Sequence, residues 1–140
     1  MSTTPEDRLR VEGRVNRTVD LSRADLAALP EMAQIPDVST LNPARRGTGV
    51  DLAAVIDRAG PAADATRVIL HADRDGFLVA LPLAAMLVRA VVIYARDGGP
   101  VPDRDGGPFR VMIREAADCA SGEELDDCAN VKYLSRIQLT

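Results

Sequence analysis

Few side chains in this 140-residue chain are suited to chemistry, and their spacing limits what that chemistry is. The only histidine, His71, stands two residues before Asp73 and could join it and a serine in a hydrolytic triad. One histidine among many aspartates makes that a chance resemblance. The tetrad Asp73-Arg74-Asp75-Gly76 recurs as Asp103-Arg104-Asp105-Gly106. A calcium loop needs a third acid and a terminal Glu, and Pro82 stands where the first copy would place that Glu. Turn chemistry explains both copies. Gly47-Thr48-Gly49 lacks the third glycine and the preceding strand of a dinucleotide site. Cys119 and Cys128 have neither C-x-x-C spacing nor a histidine nearby, which argues against zinc. The densest constellation is at the C-terminal end, where Gly106-Gly107-Pro108-Phe109-Arg110 is followed by Asn130-Val131-Lys132-Tyr133-Leu134.

The elements that must position these residues follow from periodicity and punctuation. Leu9, Val11, Gly13 and Val15 alternate with polar partners, which predicts an edge strand. Ser22 to Asp25 reads as a capping box opening a short helix that stops at Pro30, and Met32 to Ile35 reads as a strand. Residues 36–49, with two Pro and two Gly, predict a long loop of the kind that carries function. Asp51 is placed to cap a helix over Leu52–Ala59, closed by Gly60 and Pro61. Val68–Ala72 and Phe77–Ala80 predict a hairpin, and Pro82 opens a short helix ending near Arg89. Val91–Ala95, Phe109–Ile113, Val131–Leu134 and Arg136–Leu139 predict further strands. Ala116 to Ala129 reads as an acidic loop. The irregular mixture predicts an α+β fold of mixed β-sheets with short helices, not a doubly wound sheet. Residues 1–8 are expected to be a flexible N-terminus ahead of a single domain over 9–140.

Composition excludes several function classes. Hydrophobic residues make up 46% and charged residues 27%, which is too apolar for a disordered chain. A net charge of −4 and only four aromatic residues, none of them Trp, argue against nucleic acid as a partner. Sixteen of the 17 basic residues are Arg, read for the most part as surface charge, so the single lysine, Lys132, stands out. The longest apolar run contains Pro82 and is too short to span a bilayer. The N-terminus lacks an apolar leader, so the expectation is a cytoplasmic chain, not inserted in a membrane, with thiols at Cys119 and Cys128.

In order and spacing, several segments resemble the molybdopterin-binding domain of the sulfite oxidase family. They are Gly49-Val50-Asp51-Leu52, Asp75-Gly76-Phe77, Leu81-Pro82-Leu83, Asp97-Gly98-Gly99-Pro100, Gly106-Gly107-Pro108-Phe109-Arg110 and Val131-Lys132-Tyr133-Leu134. The resemblance spans about residues 9 to 140. It implies a pterin cleft between strands, with Arg110 reaching the cofactor and Asn130, Val131 and Lys132 contacting the pterin or its phosphate. Asp73 matches an acid near the cofactor, and Asp105 stands where relatives can carry a histidine. A flat heterocycle suits a backbone-lined cleft with Asp or Asn partners, and an anionic tail suits Arg and Lys.

The chain departs from that family where the metal is held. Catalytic members bind molybdenum through a cysteine in the loop that here runs from Pro36 to Thr48, which has none; Ser39 or a neighbour occupies the place, and Gly47 replaces a tryptophan. A hydroxyl is a poorer ligand than a thiolate for such a centre. The resemblance therefore implies a pterin or molybdopterin as cofactor and argues against molybdenum. It points to a non-catalytic domain that binds a pterin-like small molecule and reports it to a protein partner. Two alternatives stay open: a molybdopterin-dependent oxidoreductase with altered metal ligation, or a cofactor-free enzyme reusing the cleft. In the last, His71, Asp73 and Asp105 would be acid–base candidates, with Ser39 and His71 in the pocket. A Cys119–Cys128 disulfide across the acidic loop is a further alternative.

Overall fold

A computed structural model describes residues 8–114 and 131–140; the acidic loop, Cys119, Cys128 and Asn130 lie outside the described residues. The first sheet is built by period-two alternation. Strand β1 (Arg8–Gly13) buries Leu9 and Val11 and exposes Arg8 and Arg10. It pairs antiparallel with β2 (Val19–Ser22) and parallel with β9 (Arg136–Leu139). Strands β5 (Arg67–Ala72) and β6 (Phe77–Pro82) complete the order β2-β1-β9-β5-β6. The first strand is therefore an interior strand, not the edge expected from its polar alternation. A polar face is required wherever a sheet has one solvated side, whether or not the strand is at an edge.

The second sheet has the order β3-β4-β7-β8, with β3 at Gln34–Ile35, β4 at Thr48–Asp51, β7 at Ala90–Ala95 and β8 at Arg110–Ile113. Strand β7 does not alternate, because both of its faces are covered. Its Val92 and Tyr94 join the main core with Leu9, Leu70, Phe109 and Ile137, while Val91 and Ile93 join a smaller cluster with Val38, Val101 and Met112. The expected loop over 36–49 is interrupted by a 3-10 turn at Val38–Thr40 and ends inside β4.

Three short helices close the layers: α1 (Arg23–Ala27), α2 (Leu52–Asp57) and α3 (Leu83–Arg89). The capping box of α1 is formed in full, with Ser22 accepting from the Asp25 amide at 3.1 Å and Asp25 accepting from the Ser22 amide at 2.9 Å. Asp51 occupies the N-cap position of α2, but its carboxylate accepts from Arg114 Nη2 at 2.6 Å instead of capping the helix. Val131 to Leu134 is not a strand. It returns beside β8, with the Val111 amide donating to the Val131 carbonyl at 2.8 Å and the Leu134 amide to the Phe109 carbonyl at 2.8 Å. Among the described residues no helix is long and apolar enough to cross a membrane.

Candidate functional site

Both Asp-Arg-Asp-Gly tetrads fold alike, as a 3-10 turn (Asp73–Asp75 and Asp103–Asp105) closed by a left-handed glycine, Gly76 at φ 66° and Gly106 at φ 90°. Turn geometry thus accounts for the repeat. Among the described residues no group of three or more acidic, histidine or cysteine side chains is placed to hold a metal. Arg74 ties the two turns together, pairing with Asp103 at 3.2 Å and lying 4.6 Å over the Tyr133 ring.

The second turn forms one wall of a cleft of about 310 Å³. Its floor is Ile93 and Val101 of the smaller apolar cluster, and its walls carry Arg45, Arg46, Arg96, Asp105 and Arg110. Arg110 opens β8 opposite Ile93 of β7, so its side chain shares the face that lines the cleft. The Asp105 carboxylate is taken by an ion pair with Arg96. That leaves Arg45, Arg46 and Arg110 with no ion pair among the described residues. Arg110 is 8% exposed; its Nη1 donates to the Asp105 carbonyl at 2.8 Å, but among the described residues its buried Nε has no partner, and neither has the buried Nε of Arg45. Burial lowers the Arg110 pKa to about 10, with the nearby Arg45 guanidinium adding to the shift and Tyr133 opposing it. It stays charged at neutral pH. Arg110, buried, and Arg45, half-buried, line the same cleft and repel one another, so the lining carries an excess of positive charge among the described residues.

Lys132 is exposed and packs on the other side of the Gly106 turn: a Cβ at Gly106 would lie 3.0 Å from Lys132 Cγ and 3.3 Å from Arg110 Nη1. Only glycine lets these two cations approach across the turn. Val131 contributes its backbone, since its side chain is in the core. A second hollow of about 730 Å³ adjoins the cleft across Arg46 and is lined by Asp37, Ser39, Gly47, Thr48 and Asp97. Ser39 is held locally, its hydroxyl donating to Asp37 Oδ1 at 2.6 Å. Gly47, at φ 119°, has no room for a side chain because a Cβ would lie 2.4 Å from the Ala95 carbonyl oxygen.

His71 and Asp73 sit elsewhere, His71 buried near the end of β5 and Asp73 exposed in the turn that follows it. Arg136 binds the Asp73 carboxylate through Nε and Nη2, both at 2.8 Å, and Ser135 Oγ donates to it at 2.6 Å. The Arg136 hydrogen bond and then that of Ser135 hold the Asp73 carboxyl well below the usual carboxylate range. His71 Nε2 lies 2.9 Å from Gln138 Oε1, and Nδ1 lies 3.3 Å from Arg136 Nη2. The serine therefore bonds to the aspartate and not to the imidazole, so no triad forms. His71 and Asp73 share no hydrogen bond or ion pair with Asp105 among the described residues. The sequence reading missed Arg45, Arg46 and Arg96. The signal was present as two adjacent arginines in an irregular loop whose only acid, Asp37, bonds to its own turn.

The cationic cleft lies at the junction of a strand, a 3-10 turn and a long loop of an α+β domain built from two mixed sheets. The chain matches the oxidoreductase molybdopterin-binding domain over residues 2–140 and belongs to that family. No protein among curated sequences matches it. Its fold is similar to that of the sulfane dehydrogenase SoxCD from Paracoccus pantotrophus, with a TM-score of 0.69 at 15% identity. The alignment covers 95% of this chain and 38% of that one, so the chain spans well under half the length of that structure. The expected α+β architecture of mixed sheets is that of the sulfite oxidase-like molybdopterin-binding fold. The donor set suits the organic part of a molybdopterin, because Arg45, Arg46 and Arg110 line the cleft without an ion pair among the described residues and would hold its phosphate and ring acceptors. The loop from Pro36 to Thr48, which borders both hollows, carries no cysteine in its sequence.

Proposed function

We propose that this chain is a non-catalytic binding module for a phosphorylated pterin of the molybdopterin type. The observation that carries the reading is the pair of arginines, Arg45 and Arg110, that line one cleft with no ion pair and with an unpartnered Nε each among the described residues. Arg110 and Arg45 hold the terminal phosphate, and Lys132 adds charge at the rim. Arg46 and the backbone of the 36–48 loop border the ring system. A bound molybdopterin supplies dithiolene sulfurs able to carry a redox metal. The chain's own share is to bind, orient and desolvate that ligand. The absence of a thiol from the loop between Pro36 and Thr48 supports binding without oxo transfer. A protein partner that reads the loaded state, and a cytoplasmic setting, belong to the same proposal.

Thermal-shift and calorimetric titrations test it. A 6-substituted pterin carrying a terminal phosphate should raise Tm, and its dephosphorylated counterpart should do so less, because only a ligand of the native state stabilises it. No stabilisation by any reduced or oxidised pterin, with or without phosphate, would remove the proposal. Metal analysis of protein from a molybdopterin-competent host separates this reading from an oxidoreductase with altered ligation, which would retain molybdenum.

A further inference from the structure

The two sheets present four edges, and three of them are blunted. Strand β2 is four residues long and carries Asp20 in an ion pair with Arg10. Strand β3 is two residues long. The outer edge of β8 is occupied by the return segment, which takes the Val111 amide onto the Val131 carbonyl. Strand β6 is different: Phe77-Leu-Val-Ala-Leu-Pro82 is six residues long, carries no charge, and exposes Phe77 and Leu78. Long uncharged edges are templates for pairing, which folded proteins ordinarily suppress.

The register says which backbone groups of β6 are open. Arg67 of β5 exchanges both hydrogen bonds with Thr140, so 67, 69 and 71 point their backbone groups at β9 and 68, 70 and 72 at β6. The residues opposite the latter are Leu81, Val79 and Phe77. Leu78 and Ala80 therefore point their amides and carbonyls, and Pro82 its carbonyl, away from the sheet. Among the described residues only the Ala80 carbonyl has a partner, a long contact of 3.5 Å from Arg67 Nη2.

We propose that a second copy of this chain pairs with β6, strand against strand and antiparallel, with Leu78 of each copy opposite Ala80 of the other. This register satisfies the amides and carbonyls of both residues in each copy. It sets Val79 against its own counterpart at the two-fold axis and brings the half-exposed Phe77 ring against Leu81 of the other copy. Charge favours the antiparallel sense. Arg67 lies opposite Pro82 at one end of the hairpin, and the acidic turn at the other end carries Asp75, which has no ion pair among the described residues. Antiparallel pairing puts the basic end of one copy beside the acidic end of its partner, and parallel pairing would put like charges together. The two five-stranded sheets become one.

Sedimentation and light scattering of the whole chain test this. The expected mass is twice 15.0 kDa at micromolar concentration. Ala80→Pro removes an outward amide without touching the β5 ladder, and Leu78→Lys places a charge at the seam; both should return the mass to that of one chain. Asp20→Asn, on the opposite edge, should leave the dimer intact. Amide exchange at Leu78 and Ala80 should slow as concentration rises. A wild-type mass of 15.0 kDa throughout overturns the proposal, as does a dimer that survives both edge variants. Protection of the two amides that is independent of concentration also overturns it, since the edge would then be covered from within the chain.

Discussion

Replacing Arg110 by methionine should separate ligand binding from folding, because the two effects have opposite signs. In the folded protein Arg110 is 8% exposed, its Nε is unpartnered among the described residues, and Arg45 opposes it with like charge. A pKa lowered to about 10 means that folding disfavours the charged form, by at most about 3 kcal/mol at neutral pH. Methionine keeps the apolar stem and loses the hydrogen bond to the Asp105 carbonyl, about 1 kcal/mol. The ligand-free variant is therefore expected to be about 1–2 kcal/mol more stable than the wild type, a Tm rise of roughly 3–6 °C for a chain of this size. The sign can be checked with alkali. A base whose folded pKa is depressed binds fewer protons in the native state between its two pKa values. The wild type should thus recover stability relative to the variant as pH rises through about 10. Binding moves the other way: losing charged hydrogen bonds to a phosphate costs roughly 1.5–3 kcal/mol, or about 10- to 150-fold in Kd. Scanning calorimetry of the free protein and titration calorimetry with the phosphorylated and dephosphorylated pterins read both effects. A variant that is less stable than the wild type and still prefers the phosphorylated ligand would refute the reasoning, because Arg110 would then be a structural residue.

Three other perturbations have defined outcomes. Lys132→Ala should leave Tm within about 1 °C, since the side chain is exposed, and, as the rim charge of the proposed site, weaken the phosphorylated pterin by roughly threefold to tenfold in the same titration. Gly47→Ala should destabilise the fold by about 2–4 kcal/mol in urea unfolding, because the added Cβ meets the Ala95 carbonyl oxygen at 2.4 Å on a backbone at φ 119°. Asp73→Asn should cost no more than about 1 kcal/mol at neutral pH, as the pair with Arg136 is half exposed. Because the Asp73 pKa is depressed in the fold, its contribution is complete above pH of about 4 and fades as the pH falls below that; acid unfolding of the variant should show a shallower pH dependence there.

Local structure was legible in the sequence wherever the forces are local. The Ser22–Asp25 capping box, the left-handed glycines at 76 and 106, and the β5–β6 hairpin each depend on residues within a few positions of one another. The resemblance carried by the Gly-Gly-Pro-x-Arg and Val-Lys-Tyr-Leu segments implied one cleft for Arg110 and Lys132; in the fold Arg110 lines a cleft and Lys132 packs against the Gly106 turn beside it. The interior position of β1 was not legible, since its parallel partner β9 lies at the far end of the chain. Nor was the capping failure of Asp51, whose carboxylate is drawn to Arg114 across the fold.

The site itself divides along the same line. Sequence determined that the loop between Pro36 and Thr48 offers no thiol and that arginine dominates the cations. Which arginines matter was decided only by tertiary structure. Arg45, Arg96 and Arg110 come from a loop, the end of β7 and the start of β8, and look equivalent as letters. Folding pairs Arg96 with Asp105 and, among the described residues, leaves the buried Arg110 and the half-buried Arg45 without an ion pair. Burial and the distance to the nearest opposite charge set the electrostatic character of a side chain. Both are properties of long-range packing, which a linear pattern does not contain.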